Sequence, residues 1–180
     1  QIREFVDRGG SIVATYETSL YDEWGVRRQD FGLASLFGAS FAGSKEGPML
    51  NSYLSLKKDP SSGQYHPVLA GFEDANRIIN GVHRVHVTAD GESLSPPLRV
   101  VPTYPDLPME ECFVRPGAPH DAGIFMRETG KGRVVYFPWD IDRTFWEVLN
   151  TDHAKLLRNA VLWATNEPAP LSVAGKGVLD

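Results

Sequence analysis

The chain has 180 residues, of which 42% are hydrophobic and 23% are charged, and its formal net charge at pH 7 is -5. This composition predicts one globular domain with its own core, and it excludes disordered and collagen-like chains. The acidic balance argues against nucleic acid as a partner, and no apolar segment reaches the roughly 20 residues of a membrane span. The single cysteine, Cys112, excludes an internal disulfide and a cysteine-rich zinc site.

A helix and a strand are the first predicted elements. Apolar residues spaced for one helix face begin the chain, and Gly9 and Gly10 end that pattern. The run 11–16 is apolar and β-branched, which is typical of a parallel strand buried on both faces. A parallel strand that follows a helix needs an earlier strand, so we expect an incomplete sheet. Asp30 then predicts the N-cap of a short helix that ends at Gly38.

The middle of the chain is β-rich and is broken by turn clusters. We predict strands here that form a mixed or antiparallel extension of the sheet, at 53–56, 84–87, 98–104 and 124–126. The turn 129–132 predicts a hairpin with a strand over 134–137. An acidic and aromatic loop is predicted from residue 139, and an amphipathic helix is predicted behind Asp152 as its N-cap.

Both ends of the chain predict a piece of a longer protein. The chain begins inside a helix pattern without an initiator methionine, and the segment 166–170 is a proline-marked exit from the last helix. We therefore expect an α/β domain over residues 1–168 that lacks its first strands. A linker, or the start of a following domain, is expected over 169–180.

Two blocks of sequence carry a resemblance to a known family. They are the block from Ile2 to Tyr16 followed by Leu36-Phe-Gly-Ala-Ser, and the block Gly130-Lys-Gly-Arg-Val-Val-Tyr-Phe-Pro with His153 and its helix. Together they resemble the class I glutamine amidotransferase-like fold over about residues 1–170. The most similar variant is the trimerisation domain of family 42 β-galactosidases and related glycoside hydrolases, and trehalose-utilisation-type proteins are more distant.

The resemblance implies a flavodoxin-like three-layer α/β domain whose first strands lie upstream of this chain. In such β-galactosidases the domain is non-catalytic, lies beside the sugar-cleaving barrel and helps to assemble the oligomer. The implied partners are the rest of a parent chain with its catalytic domain, further copies in a homo-oligomer, and carbohydrate. Localisation is left open, with the cytoplasm slightly favoured.

No catalytic residue, metal or cofactor is predicted. A working amidotransferase places a cysteine on a strained strand-to-helix turn beside a histidine and an acid, whereas the matching strand end here is Tyr16-Glu17-Thr18-Ser19. Cys112 follows two glutamates, which do not favour a thiolate. A triad of Ser19 with His120 or His153 is no more than composition allows.

Acidic and histidine pairs receive a structural interpretation. Asp140 and Asp142 would share one face of an extended loop, as paired catalytic carboxylates do. We favour the alternative, in which Asp140 caps a turn and Asp142 pairs with Arg143 or Arg133. His83 and His86 would point to opposite faces of a strand, so they are not expected to bind one metal.

Aromatic residues complete the candidates. Those near residue 139 suit a sugar-stacking platform, although an interface or core role is favoured, and Trp24 lies in a second loop that suits an interface. The candidate ligand or interface residues are Tyr16, Glu17, Tyr21, Trp24, Trp139, Asp140, Asp142, Arg143 and Trp146.

Three functions remain in competition. The first is a non-catalytic accessory or oligomerisation domain of a β-galactosidase-like glycoside hydrolase. The second is a stand-alone amidase-like or sugar-processing hydrolase that uses Glu17, Asp140, Asp142 or a histidine. The third is a carbohydrate-binding module with a tryptophan surface.

Overall fold

The structure is a computed structural model that describes residues 1–50, 52–91, 96–102, 121–165, 167 and 171. The helices are α1 (Ile2–Asp7), α2 (Ala34–Phe37), α3 (Ile141–Val148) and α4 (Thr151–Thr165), with a 3₁₀ helix at Pro67–Leu69. The strands are β1 (Ile12–Thr15), β2 (Ala39–Glu46), β3 (Tyr53–Leu56), β4 (Arg77–Ile79), β5 (Arg84–Ala89), β6 (Leu98–Val101), β7 (Phe125–Thr129) and β8 (Gly132–Phe137).

These strands form three small sheets. In the first sheet the order is β1-β8-β7, where β8 runs parallel to β1 and antiparallel to β7. The second sheet is the antiparallel pair of β2 and β5, and the third has the antiparallel order β4-β3-β6. The predicted α/β class is therefore confirmed. Of the predicted β-rich extension, β7 joins the first sheet through β8, whereas β3 to β6 pair in the two other sheets.

Strand β8 is the centre of the molecule. Its residues Val134 and Tyr136 lie in one apolar cluster, with α1, α2 and the loop after β1. Val135 and Phe137 lie in the other cluster, with α4 and the third sheet. This alternation follows from the two-residue period of a strand. The strand predicted over 134–137 thus supplies side chains to both apolar clusters.

Close backbone contact joins α1 and β1 to this centre. Gly132 opens β8 beside the chain that enters β1, and a Cβ on Gly132 would collide with the carbonyl oxygen of Gly10. Glycine at this position lets the two backbones approach. The predicted hairpin of β7 and β8 is also confirmed, with Thr129 opposite Gly132.

Several local predictions are wrong. Residues 141–148 form a helix where a loop was expected, because eight residues, of which only Ile141 and Thr144 are buried, are too few to show a clear helical period. The N-cap of α4 is supplied by Asn150, whose Oδ1 accepts a hydrogen bond of 2.9 Å from the backbone N–H of Asp152. Strands β2 and β4 carry polar and exposed residues, and the sequence pattern did not predict them.

A buried histidine lies at the start of α4. The Nε2 atom of His153 lies 2.9 Å from the carbonyl oxygen of Ile79, and its ring packs edge-on against Trp139. Its Nδ1 has no hydrogen-bond partner within the described part of the chain. Burial lowers the pKa of His153 below its ordinary value, and the hydrogen bond to Ile79 offsets part of this effect. The folded protein therefore keeps this imidazole neutral.

We expect acid to destabilise the fold through His153. In the unfolded chain a histidine takes up its proton near about pH 6.5, whereas the folded chain does so only at lower pH. The unfolded state thus binds more protons below that pH, and the free energy of unfolding falls as the pH falls. In urea unfolding, the His153→Gln variant should lose less of its free energy of unfolding between neutral and acidic pH than the unmodified chain does.

The exposed Val161 on α4 gives the matched control, because Val161→Ala removes no titrating group. His66 contributes in the same direction as His153, since burial also lowers its pKa. The dependence of the free energy of unfolding on pH should therefore be weaker in His153→Gln but still present. Identical slopes in the two variants would contradict the assignment.

Among the residues that the structure describes, no helix is long and apolar enough to cross a bilayer.

Candidate functional site at the carboxyl ends of β1 and β8

The parallel pairing of β1 and β8 brings two loops together. Thr15 at the end of β1 is in register with Phe137 at the end of β8. The N–H of Tyr16 continues the pairing, because it donates a hydrogen bond of 2.7 Å to the carbonyl oxygen of Phe137. Residues after both strands consequently lie at one edge of the sheet, where α/β proteins bind their ligands.

Tyr16 occupies the sharp turn after β1. Its φ is 46°, in the left-handed region that non-glycine residues rarely adopt. The hydroxyl of the buried Tyr136 donates a hydrogen bond of 2.6 Å to the Tyr16 carbonyl oxygen, which helps to hold the turn. Ser19 also has a positive φ, and its Oγ accepts a hydrogen bond from the N–H of Leu33. This turn thus presents a tyrosine at the carboxyl end of β1.

A histidine and a buried aspartate form the second part of the site. Asp140 is 2% exposed, and its Oδ1 accepts a hydrogen bond of 2.9 Å from the His83 N–H. Its Oδ2 lies 3.0 Å from the Nδ1 of His83, and the Thr144 hydroxyl donates to Oδ1 at 3.3 Å. A short antiparallel bridge between Arg84 and Trp139 brings the two segments together.

Gly81 packs closely against this pair, and its lack of a side chain leaves room for the Asp140 carboxylate. A Cβ on Gly81 would collide with Oδ1 of Asp140 and would lie 2.9 Å from Cε3 of Trp139. We therefore expect Gly81→Ala to lower the free energy of unfolding by about 1–3 kcal/mol, as overpacking of a core does. Gly32→Ala is the control, since its Cβ would lie at an ordinary 3.5 Å from the Ser19 carbonyl oxygen. Equal urea midpoints for the two variants would contradict the prediction.

An ion pair with a tyrosine forms the third part of the site. The Lys45 ammonium lies 2.7 Å from Oε1 of Glu17 and 3.3 Å from the hydroxyl of Tyr21. That hydroxyl donates to the same Glu17 oxygen at 3.1 Å. The hydrogen bond to Glu17 is the largest cause that raises the pKa of Lys45 above its ordinary value.

Tyr16 lies between these two groups. Its ring centroid is 6.4 Å from that of His83. Burial raises the pKa of the Tyr16 phenol, and the charges of Glu17 and Asp140 raise it further, while Lys45 opposes them. We name the whole arrangement the strand-end cluster, which consists of Tyr16, Glu17, Tyr21, Lys45, His83 and Asp140.

Several solved structures share the fold of this chain. A β-galactosidase from Rahnella sp. R3 matches with a TM-score of 0.55 and 15% identity, over 90% of this chain and 20% of its own. A β-galactosidase from the haloarchaeon Halorubrum lacusprofundi matches with a TM-score of 0.52 and 14% identity, over 91% and 20%. A cytoplasmic protein from Salmonella typhimurium matches with a TM-score of 0.58 and 15% identity, over 91% and 58%.

This chain has the fold of a β-galactosidase segment. The resemblance that the sequence predicts is thereby confirmed at the level of fold. The chain spans about a fifth of the length of these β-galactosidases. No protein-family model and no curated protein matches the sequence.

The predicted acidic pair is separated in this fold. Asp140 is buried, whereas Asp142 is exposed in the first turn of α3, so the two do not form a catalytic pair on one face. The predicted partners of Asp142 bind elsewhere, because Arg143 pairs with Glu147 at 2.8 Å and Arg133 pairs with Glu128. The prediction of a structural role for Asp140 agrees better with the fold than a catalytic pair does. Its side chain, however, holds His83 and makes no N-cap hydrogen bond.

The candidate tryptophans divide into one core residue and two surface residues. Trp139 is 1% exposed, and its Nε1 donates a hydrogen bond of 2.8 Å to the Gly123 carbonyl oxygen, so it belongs to the core and not to a binding surface. Trp146 and Trp24 are 80% and 84% exposed. Asp22 stiffens the loop that carries Trp24, since its Oδ1 accepts hydrogen bonds from the N–H groups of Trp24 and Val26.

Sequence reasoning missed Lys45 and the role of His83. Lys45 lies on β2, which was not predicted, and His83 was weighed only as a metal ligand. The two histidines do face different carboxylates, since His86 lies 3.7 Å from Glu46 while His83 bonds Asp140. Cys112 and His120 lie outside the described residues.

A cleft of about 1100 Å³ lies apart from this cluster, between β7 and the loops that carry Gly91, Pro96 and His66. None of the described residues that line this cleft belongs to the strand-end cluster.

Proposed function

We propose that this chain is a non-catalytic accessory and oligomerisation domain of a β-galactosidase-like glycoside hydrolase. One observation carries the proposal: about nine-tenths of the chain matches the fold of a segment that makes up about a fifth of two β-galactosidases. We infer that this domain contributes assembly or shape to an enzyme whose catalytic residues lie elsewhere.

The turn after β1 supports a non-catalytic role. An acyl-transfer site needs a nucleophile whose proton is taken by a nearby base. Here Tyr16 occupies the turn, and the hydroxyls of Thr18 and Ser19 are engaged by local backbone groups. Among the described residues, no serine or cysteine forms a hydrogen bond with the His83 ring, which faces Asp140.

The proposal includes the finer fold assignment. We infer a flavodoxin-like, class I glutamine amidotransferase-like three-layer domain over residues 1–168, with upstream strands beside β1 and a linker or further domain over 169–180. The open edge of β1 supports this inference, because an apolar groove of about 500 Å³ runs along it. Ile2 and Phe5 line that groove and are half exposed. A strand laid against this edge would cover both side chains.

Exposed tryptophans are the proposed contacts between copies. Trp24 on its stiffened loop and Trp146 on α3 offer large rigid side chains, which are enriched at the centres of protein interfaces. The proposed setting is the cytoplasm, which one structural relative has in its name.

Removal of residues 1–168 from the full-length parent protein tests the proposal. The expected result is a smaller oligomer by light scattering, with the catalytic domain still folded. Trp24→Ala and Trp146→Ala in the full-length protein should reproduce part of this dissociation, and Val161→Ala on the exposed side of α4 is the control. An unchanged mass together with unchanged β-galactosidase activity after the deletion would exclude the accessory role.

A further inference from the structure

The strand-end cluster holds polar groups that an assembly role leaves unused. The Nδ1 of His83 faces the carboxylate of Asp140, which can only accept a hydrogen bond, so Nδ1 carries the proton. In the neutral ring Nε2 is then an acceptor, and the side chain of His83 is 28% exposed. A buried aspartate that fixes the orientation of a partly exposed imidazole is the arrangement found where histidine meets a ligand.

The charges of the cluster disfavour an anionic ligand. Phosphate and carboxylate groups are bound by cations with free donors. Here the ammonium of Lys45 is paired with Glu17, and the neighbouring guanidinium of Arg143 is paired with Glu147. Neither offers an uncompensated positive charge, and the carboxylate of Asp140 adds negative charge beneath His83.

The hydrogen-bond donors and acceptors of the strand-end cluster suit a ligand with neutral hydroxyl groups. A sugar hydroxyl donates one hydrogen bond and accepts others, so it needs donors and acceptors side by side. Glu17 and His83 supply acceptors, while the ammonium of Lys45 and the phenol of Tyr16 supply donors. Burial raises the pKa of that phenol, which keeps its proton in place. The rings of Tyr16 and Tyr21 add aromatic faces of the kind that contact the C–H groups of sugars.

We propose that the strand-end cluster binds a neutral polyhydroxylated ligand, a mono- or oligosaccharide. Its hydroxyls donate to Nε2 of His83 and to Glu17, and accept from Tyr16 and Lys45. The site uses residues of this chain alone, and it differs from the exposed tryptophan surfaces. It goes beyond the assembly role and does not depend on it.

Nuclear magnetic resonance of the full 180-residue chain tests the site. Galactose and lactose are titrated separately, with inositol as a second polyol and inorganic phosphate as the anionic probe. The expected result is a saturable shift of the His83 and Tyr16 ring resonances with a sugar and none with phosphate. Shifts confined to Trp24 and Trp146 would place binding elsewhere and overturn the proposal, and so would saturation by phosphate alone.

Variants separate recognition from a structural role. Tyr16→Phe keeps the ring and the backbone turn and removes one donor, and His83→Phe keeps a ring and removes Nε2. Each should weaken sugar binding by about tenfold, as the loss of a hydrogen-bonding group in a polar site does. His86→Phe is the matched control and should bind as the unmodified chain does. The absence of any sugar shift, or equal weakening in His86→Phe, would overturn the proposal whatever the mass of the oligomer.

Discussion

Replacement of Trp139 by alanine is expected to lower the free energy of unfolding by about 3–5 kcal/mol. The side chain is fully enclosed, with ring centroids of Phe137 and His153 at 5.9 and 5.1 Å. The substitution would leave a large cavity between β8 and α4. It would also leave the carbonyl oxygen of Gly123 without its hydrogen bond from Nε1. Urea unfolding followed by circular dichroism measures the loss.

Trp146 provides the matched control for this prediction. It is seven positions further along the chain and 80% exposed, so Trp146→Ala should change the free energy of unfolding by no more than about 0.5 kcal/mol. Trp139→Phe should give an intermediate loss, because it keeps most of the apolar volume. Similar losses for Trp139→Ala and Trp146→Ala would contradict the assignment of Trp139 to the core.

Replacement of Asp140 by alanine should cost about 2–4 kcal/mol, because a buried donor is left without its partner. The N–H of His83 and the hydroxyl of Thr144 both donate to this carboxylate. Its removal would also release the His83 ring, whose Nδ1 lies 3.0 Å from Oδ2. Denaturant titration gives the stability, and the His83 ring resonances report the loss of orientation.

Asp142 is the control for this substitution. It lies exposed in the first turn of α3, where a carboxylate interacts favourably with the helix dipole, so Asp142→Ala should cost about 0.3–1 kcal/mol. The loss of stability in Asp140→Asn should fall between those of Asp140→Ala and Asp142→Ala, since asparagine keeps an acceptor for the His83 N–H. An Asp140→Ala variant as stable as Asp142→Ala would show that the buried carboxylate is not needed.

Part of the candidate site was within reach of the sequence. Tyr16, Glu17 and Asp140 follow the two most apolar strands, and that position alone made them candidates. His83 and Lys45 could not be added, because they reach the site from the residue before β5 and from β2, through contacts 57 and 28 positions apart in sequence. Pairing over such distances depends on the relative placement of sheets, which no local pattern encodes.

The same limit explains the errors at the tryptophans and acids. Trp139, Asp140 and Asp142 were treated as one loop, since the stretch has no periodicity long enough to predict a helix. In the fold, the helical turn that begins at Ile141 divides them. Trp139 and Asp140 are directed inward, and Asp142 is directed outward.

The sequence by itself determined the α/β class, the buried strand β8, its hairpin with β7, the main course of α1 and α4, and the resemblance in fold to a β-galactosidase domain. These features depend on local periodicity, glycine turns and apolar runs, which act within a few residues. Only the tertiary structure decided that Trp139 is core, that Asp140 holds His83, and that Lys45 faces Glu17. Those outcomes depend on burial and on hydrogen bonds between segments far apart in the chain, and a buried polar group takes its partner from whichever segment packs against it.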